Sequence, residues 1–304
     1  MKHTLLRTSN PSPTATHSAR RYALGMALAA LAATSASHAG FLTFESAGAN
    51  AAAITPARDS FRTAVGGGTT AGANGSFGGV RREINWDAVP DGFADANLLP
   101  ANFFNSNSPR GVVFSTPGTG FLVSSNAGQA APVLFGFGND FQAFSAQKLF
   151  TAAGSNVTDV RFFVPGTSIP ASTSAFGVVF TDVENAGLTK IDFFDLSDVL
   201  IYSRNAITTA NQGLSFVGGV ANAGEKIGRV RITSGLNTIV SNGVLGNPND
   251  DVVAMDDFLY AEPLPRLTVP EPGSLLLAAL GLAALGGSRR AFSVRKARSK
   301  RSLF

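Results

Sequence analysis

Apolar and polar residues alternate with a period of two through much of the middle of the chain, a spacing that predicts strands. Val160, Phe162 and Val164 share one face of a run that Pro165-Gly166 ends, and Phe176 to Phe180 forms a short continuous apolar run. Val230 and Ile232 alternate with Arg229 and Arg231, the pattern of a half-buried strand with two cations in solvent. Val252, Ala254, Phe258 and Tyr260 fall on one face of the last strand; the same alternation puts Asp256 on that face and Asp257 on the opposite one. Turn-forming clusters separate these runs at Gly66 to Gly68, Pro117-Gly118, Pro165-Gly166 and Asn247-Pro248-Asn249-Asp250. Many short strands with such turns predict an all-β domain, an antiparallel β-sandwich over residues 40–266. Ala47 to Gly79, rich in Gly, Ala and Thr, offers little to bury and reads as a long exposed loop or hairpin excursion.

The two ends follow a different pattern. Arg20-Arg21 precedes an apolar run from Tyr22 to Ala33, and Ser37-His38-Ala39 offers small residues where a signal peptidase cuts, so residues 1–39 read as a signal peptide. The arginine pair leaves both general secretion and the twin-arginine route open. Near the C-terminus, Val269-Pro270-Glu271-Pro272-Gly273 is followed by the apolar run Ser274 to Gly287, then by Arg289-Arg290 and a basic tail. That run falls short of the roughly 20 residues that span a bilayer comfortably, so it makes a marginal helix that can be held and also extracted. Arg289 and Arg290 would hold its end on the cytoplasmic side. The prolines stop any helix from running back into the domain and leave a segment that a protease can grip.

The order of triplet, apolar run and basic end resembles the PEP-CTERM sorting signal. That resemblance implies a sorting tail over residues 267–304 with an exosortase-type membrane protease as partner. It also implies transient inner-membrane anchoring and a final location at the cell surface or outside the cell. The tail beyond Arg290, Ala291 to Phe304, is longer than is usual for such signals.

Charge changes the first impression given by a pI near 9.7. Between Gly40 and Pro265 there are twelve Lys and Arg against nineteen Asp and Glu, a net of −7, while the basic residues crowd into the two ends. The domain therefore lacks the basic surface that nucleic acid requires. There is no cysteine, which removes disulfides and thiol chemistry. The histidines, His3, His17 and His38, all lie before the expected cleavage point, so a mature chain would have no Ser-His-Asp or Cys-His catalysis and no ordinary zinc site.

Two groups of residues carry candidate chemistry. Glu45, Asp256 and Asp257 lie in the expected first and last strands, and a carboxylate on a core face costs several kcal/mol unless it is paired or metal-bound. Structural calcium, with six to eight oxygen ligands, would meet that need, and oxygens of Asn247 to Asp251 could assist; the alternative is that these are rim acids holding backbone or arginine partners. Trp86, Asp87, Asp91 and Asp95 form the second group, a sugar site with the sole tryptophan as stacking platform or, more sharply, a glycosidase with two of the acids as acid and base. Against it stands the ordinary role of Asp in turns and of a lone Trp in a core.

The middle of the chain also resembles a recurring type of exported PEP-CTERM protein in Arg82 to Asp91, Ser108 to Phe114, Gly177 to Asp182 and Asp256-Asp257-Phe258, a type with no activity to carry over. A looser resemblance, through Phe44-Glu45 and Asp256-Asp257, is to galactose-binding-like jelly rolls. It implies a jelly-roll-like sandwich whose first and last strands lie side by side, with a structural calcium in some members. The reading that follows is a non-enzymatic exosortase substrate of the cell surface or extracellular matrix. The alternative is a carbohydrate-binding module of the extracellular polysaccharide layer, and a glycoside hydrolase comes third.

Overall fold

The strands predicted from alternation form, and they assemble into two facing sheets. A computed structural model describes residues 40–67, 79–125, 134–240, 243–245 and 251–265. The expected signal peptide, the sorting motif Val269 to Gly273, Arg289-Arg290 and the turn Asn247 to Asp250 lie outside the described residues. In chain order the elements are β1 (Phe41–Gly48), helix α1 (Ala51–Gly66), β2 (Arg81–Ile84), the short helix α2 (Phe103–Ser106), β3 (Val112–Ser115), β4 (Gly120–Val123), β5 (Phe150–Ala153) and β6 (Val157–Phe162). They continue with β7 (Ala171–Ser172), β8 (Ala175–Thr181), β9 (Lys190–Phe194), β10 (Leu200–Asn205), β11 (Leu214–Ala221) and β12 (Arg229–Thr233), and end with β13 (Thr238–Val240), β14 (Gly243–Leu245), β15 (Ala254–Ala261) and β16 (Leu264–Pro265).

The larger sheet runs β1-β11-β8-β15-β5-β4, with β2 also pairing β15; the smaller runs β10-β9-β12-β6-β3. Their neighbouring strands are antiparallel. Val160 and Phe162 on β6, Val230 and Ile232 on β12, and Phe176, Val178 and Phe180 on β8 all face the shared core between the sheets. Each such side chain removed from water contributes about 1.5–3 kcal/mol against the entropy of ordering the chain.

The larger sheet is covered on its outer face as well, which explains why β8 is buried at every position. The cover is helix α1, so the expectation of an exposed excursion over Ala47 to Gly79 is corrected for the described part: 41–48 is strand and 51–66 is helix. Asn50 caps the helix, its side chain accepting from the Ala53 amide at 3.3 Å. Ile54 and Phe61 are buried and Ala51, Ala57 and Val65 pack beside them, a stripe at helical spacing. Small residues are what let the helix come close. A Cβ at Gly218 on β11 would stand 2.8 Å from the Phe61 ring, so the bare backbone there makes room for the phenyl group.

Strand β12 departs from the half-solvated reading at Arg229, which is buried. Arg229 lies with its guanidinium 3.7 Å from the Phe194 ring centroid and donates to Asp159 at 2.9 Å and Asp198 at 2.8 Å. Arg231 binds both oxygens of Asp159, at 2.9 and 2.8 Å. Burial would push the Asp159 carboxyl up, but the bonds and charges of Arg231 and Arg229 outweigh it and hold the group below its ordinary value.

At the end of β8, Asp182 sits buried with φ +69°, accepting from the Gln212 amide at 3.0 Å. Burial, opposed by that bond and reinforced by the charges of Glu184, Asp140 and Asp251, pushes its carboxyl from 3.8 up to about 7. A folded state that holds this proton more tightly than the unfolded chain gains stability below the folded value and loses it as pH rises. With some solvent screening the loss is roughly 2 kcal/mol between about pH 4 and 8, and burial of Asp256 and Asp257 acts in the same direction. Thermal midpoints measured across that range should fall with pH, and Asp182→Asn, which keeps the acceptor and tolerates the left-handed backbone, should flatten the slope. An identical slope in the variant would refute this assignment.

Candidate functional site: a cleft over the β15 bulge

The last strand does not keep one face throughout. Met255 pairs with Phe180 and Phe258 with Val178, so β15 carries one more residue than β8 over this stretch, a β-bulge at Asp256-Asp257. The extra residue switches the faces. Val252 and Ala254 belong to an outer cluster with Leu122 and Phe141, whereas Phe258 and Tyr260 enter the inter-sheet core. The expectation of one common face for Val252, Ala254, Phe258 and Tyr260, with the two aspartates opposed, is thereby corrected: the two carboxyls meet and hydrogen-bond to each other.

Asp256 is fully buried and fastens the chain passing above it. It accepts from the amides of Phe144 at 2.6 Å and Ser145 at 3.2 Å and bonds the Ser145 hydroxyl at 2.9 Å. Burial, with the adjacent Asp257 charge adding to it, raises its carboxyl well above the ordinary range; burial raises Asp257 as well, though the bond from Asp256 works against this. Both carboxyls therefore hold a proton more tightly than a free aspartate does, Asp256 the more strongly. Asp257 is only 5% exposed, and its Oδ1 is buried.

Asp257 lines a polar cleft of about 580 Å³ between α1 and β2. Helix α1 supplies Thr55, Arg58 and Arg62; Glu83 and Asn85 come from β2 and its end, Arg110 from the loop before β3, and Phe144 and Ser145 from the segment held by Asp256. Arg62 grips Glu83 through two bonds of 2.7 and 2.5 Å. The Arg58 guanidinium lies 4.8 Å from the Phe144 ring centroid and pairs with the half-exposed Asp59 at 2.8 Å. Burial lowers Arg110.

The residues expected to form sites are placed as follows. Glu45 lies on β1, separated from β15 by the two strands β11 and β8. It pairs with Arg204 of β10, whose Nε is 2.6 Å from Oε2. The calcium grouping of Glu45 with Asp256 and Asp257 is therefore corrected, and no group of three or more His, Cys, Asp or Glu side chains able to hold a metal occurs among the described residues. Trp86 is 1% exposed and stacks on Phe150 at 4.0 Å, so it is a core residue and not a stacking platform for sugar. Its Nε1 donates to the Asp256 carbonyl at 2.8 Å, which pins the bulge from inside.

Asp87 accepts from the Lys148 amide and from Asn85, each at 3.1 Å, while Asp91 lies 3.3 Å from the buried Lys148 ammonium, which also donates to the Val89 carbonyl at 2.6 Å. Asp95 is buried. Asp87 and Asp91 organise a loop around one lysine. The cleft residues Arg58, Arg62, Arg110 and Phe144 escaped the sequence reading, since nothing in their spacing ties them together before the bulge and helix are known.

Comparison with known proteins adds one finding. Residues 268–290 match the PEP-CTERM protein-sorting motif, beginning three residues after β16 ends. The match implies an exported protein, processed by a membrane exosortase and destined for the cell surface or extracellular space. No curated protein matches the chain. Among the described residues no helix is long and apolar enough to cross a membrane, and Ser274 to Gly287 lies outside them.

Proposed function

We propose that this chain is a non-enzymatic, exosortase-sorted protein whose β-sandwich ends at the cell surface or in the extracellular matrix. The observation that carries this is the sorting motif standing directly behind a folded all-β domain. Signal peptidase acts at Ala39, and the short apolar run Ser274 to Gly287 holds the tail in the inner membrane until the exosortase acts. Intact-mass analysis should show the mature protein ending near Pro270 to Gly273 in exosortase-containing cells and keeping Leu303-Phe304 in cells without the enzyme. Recovery of the complete tail from both would overturn this reading.

A second reading, a carbohydrate-binding module of the extracellular polysaccharide layer, is favoured by the cleft of about 580 Å³ lined by Arg58, Asn85 and Ser145. It moves the sugar away from Trp86, Asp87 and Asp91. Glycoside hydrolysis has less support: of the acids expected to serve as acid and base, Asp87 and Asp91 are engaged with Lys148 and Asp95 is buried.

A further inference from the structure

Gly40, the residue before β1, is held at the end of the β1–β11 ladder, where Phe41 stands opposite Ala221. Its carbonyl accepts from the Asn222 amide at 3.1 Å, and its nitrogen donates to Glu225 Oε1 at 2.5 Å. Glu225 sits on the turn between β11 and β12, and the turn aims it: Gly224 takes φ +93°, and Glu225 Oε2 accepts from the Ala223 amide at 3.0 Å. Burial would push the Glu225 carboxyl up, but the bonds from the amides of Gly40, Glu225 itself and Ala223 outweigh it and hold the group below its ordinary value. It therefore carries its charge at neutral pH. A second oxygen lies against the same glycine, since a Cβ on Gly40 would stand 2.2 Å from Asn222 Oδ1. A full negative charge is more than one peptide N–H calls for, because backbone amides ordinarily take a carbonyl partner.

We propose that Glu225 is the receptor for the α-ammonium group that signal-peptide removal creates at Gly40. Water cleaves the Ala39–Gly40 peptide bond, leaving a carboxylate on Ala39 and an amine on Gly40 that is mostly protonated at neutral pH, since a free α-amine titrates at about 7.7–8.0. The single N–H bond to Glu225 then becomes an ion pair with three donors, one of which can turn to Asn222 Oδ1. The other charged groups lining the groove beside Glu225, Asp195 and Lys226, are opposite in sign, so Glu225 dominates the field at Gly40. The clamp lies at the end of the sandwich from which the sorting tail departs: Ala221 donates to the Ser174 carbonyl at 2.8 Å, and β7, two residues earlier, pairs with β16. This inference rests on the cut after Ala39 in the reading above and adds what receives the new end.

The test uses the protein as exporting cells release it. N-terminal sequencing should begin at Gly40, and the rate at which an acylating reagent modifies the α-amine at about pH 7, followed by mass spectrometry of the N-terminal peptide, reads the clamp. The reagent attacks only the free base, so wild type should react about threefold more slowly than Glu225→Gln, which keeps an acceptor oxygen and loses the charge. A chain with one serine inserted after Ala39 moves the amine about 3.8 Å outward and should react as fast as Glu225→Gln. Near-UV circular dichroism checks folding; if Glu225→Gln is not folded, the serine insertion decides. A first residue other than Gly40 would overturn the cut and with it the occupant of the clamp, leaving the sorting motif standing. A chain that begins at Gly40 but reacts no more slowly than the folded variant would overturn the role of Glu225 while leaving the cut intact.

Discussion

Replacing Trp86 with alanine is expected to cost about 4 kcal/mol and to lower the melting temperature by roughly 10 °C. The indole is stacked flat on Phe150 at 4.0 Å with an interplanar angle of 2°, and it meets Phe104 and Phe258 edge-on at 5.4 and 5.1 Å. Aromatic neighbours of this size cannot collapse into the space left behind, so the cavity penalty adds to the lost burial. The substitution also strips the Asp256 carbonyl of its Nε1 donor, leaving a buried acceptor unpaired at about 1–3 kcal/mol. Trp86→Phe separates these contributions, because it keeps much of the packing and loses only the donor; its cost should be about half that of alanine. Thermal and urea unfolding followed by circular dichroism would read both, and an alanine variant within about 1 kcal/mol of wild type would contradict the role assigned to Trp86.

The same tryptophan shows where sequence reading stops. Alternation identified the strands that carry Val160, Phe162, Val230 and Ile232, because a period of two is a local property and the core face is its direct expression. It failed at β15 because a bulge inserts a single residue that no local pattern announces, and this reverses the faces of everything beyond it. The acid pair was visible as a pair; that its members meet each other and not Glu45 depends on β11 and β8 lying between β1 and β15, a matter of topology. Helix α1 was hidden by its small residues, which look like loop composition until Gly218 and Phe61 are seen to fit together. Trp86 and its neighbouring acids looked like a sugar site by residue type alone, yet burial and the demands of Lys148 decide what they do.

Arg82→Met is the second large effect, expected at about 3–5 kcal/mol, because it would strand a charge in the protein interior. Arg82 is fully buried on β2 opposite Tyr260 and binds Glu262 with two bonds, Nε at 2.5 Å and Nη2 at 2.9 Å. Its Nη1 also reaches the Pro109 carbonyl at 3.3 Å, so the arginine ties the edge strand β2 to the end of β15 and to the loop before β3. Two long charged groups in that place do not by themselves indicate a large net stabilisation, since their desolvation opposes their attraction. Removing one partner, however, leaves Glu262 with the desolvation cost and none of the return. The double variant Arg82→Met with Glu262→Leu should therefore recover much of the loss, giving a coupling of at least about 2 kcal/mol in a double-mutant cycle read by urea unfolding. A double variant as unstable as the sum of the single ones would show that the two side chains act separately and that the pair is not what joins β2 to β15.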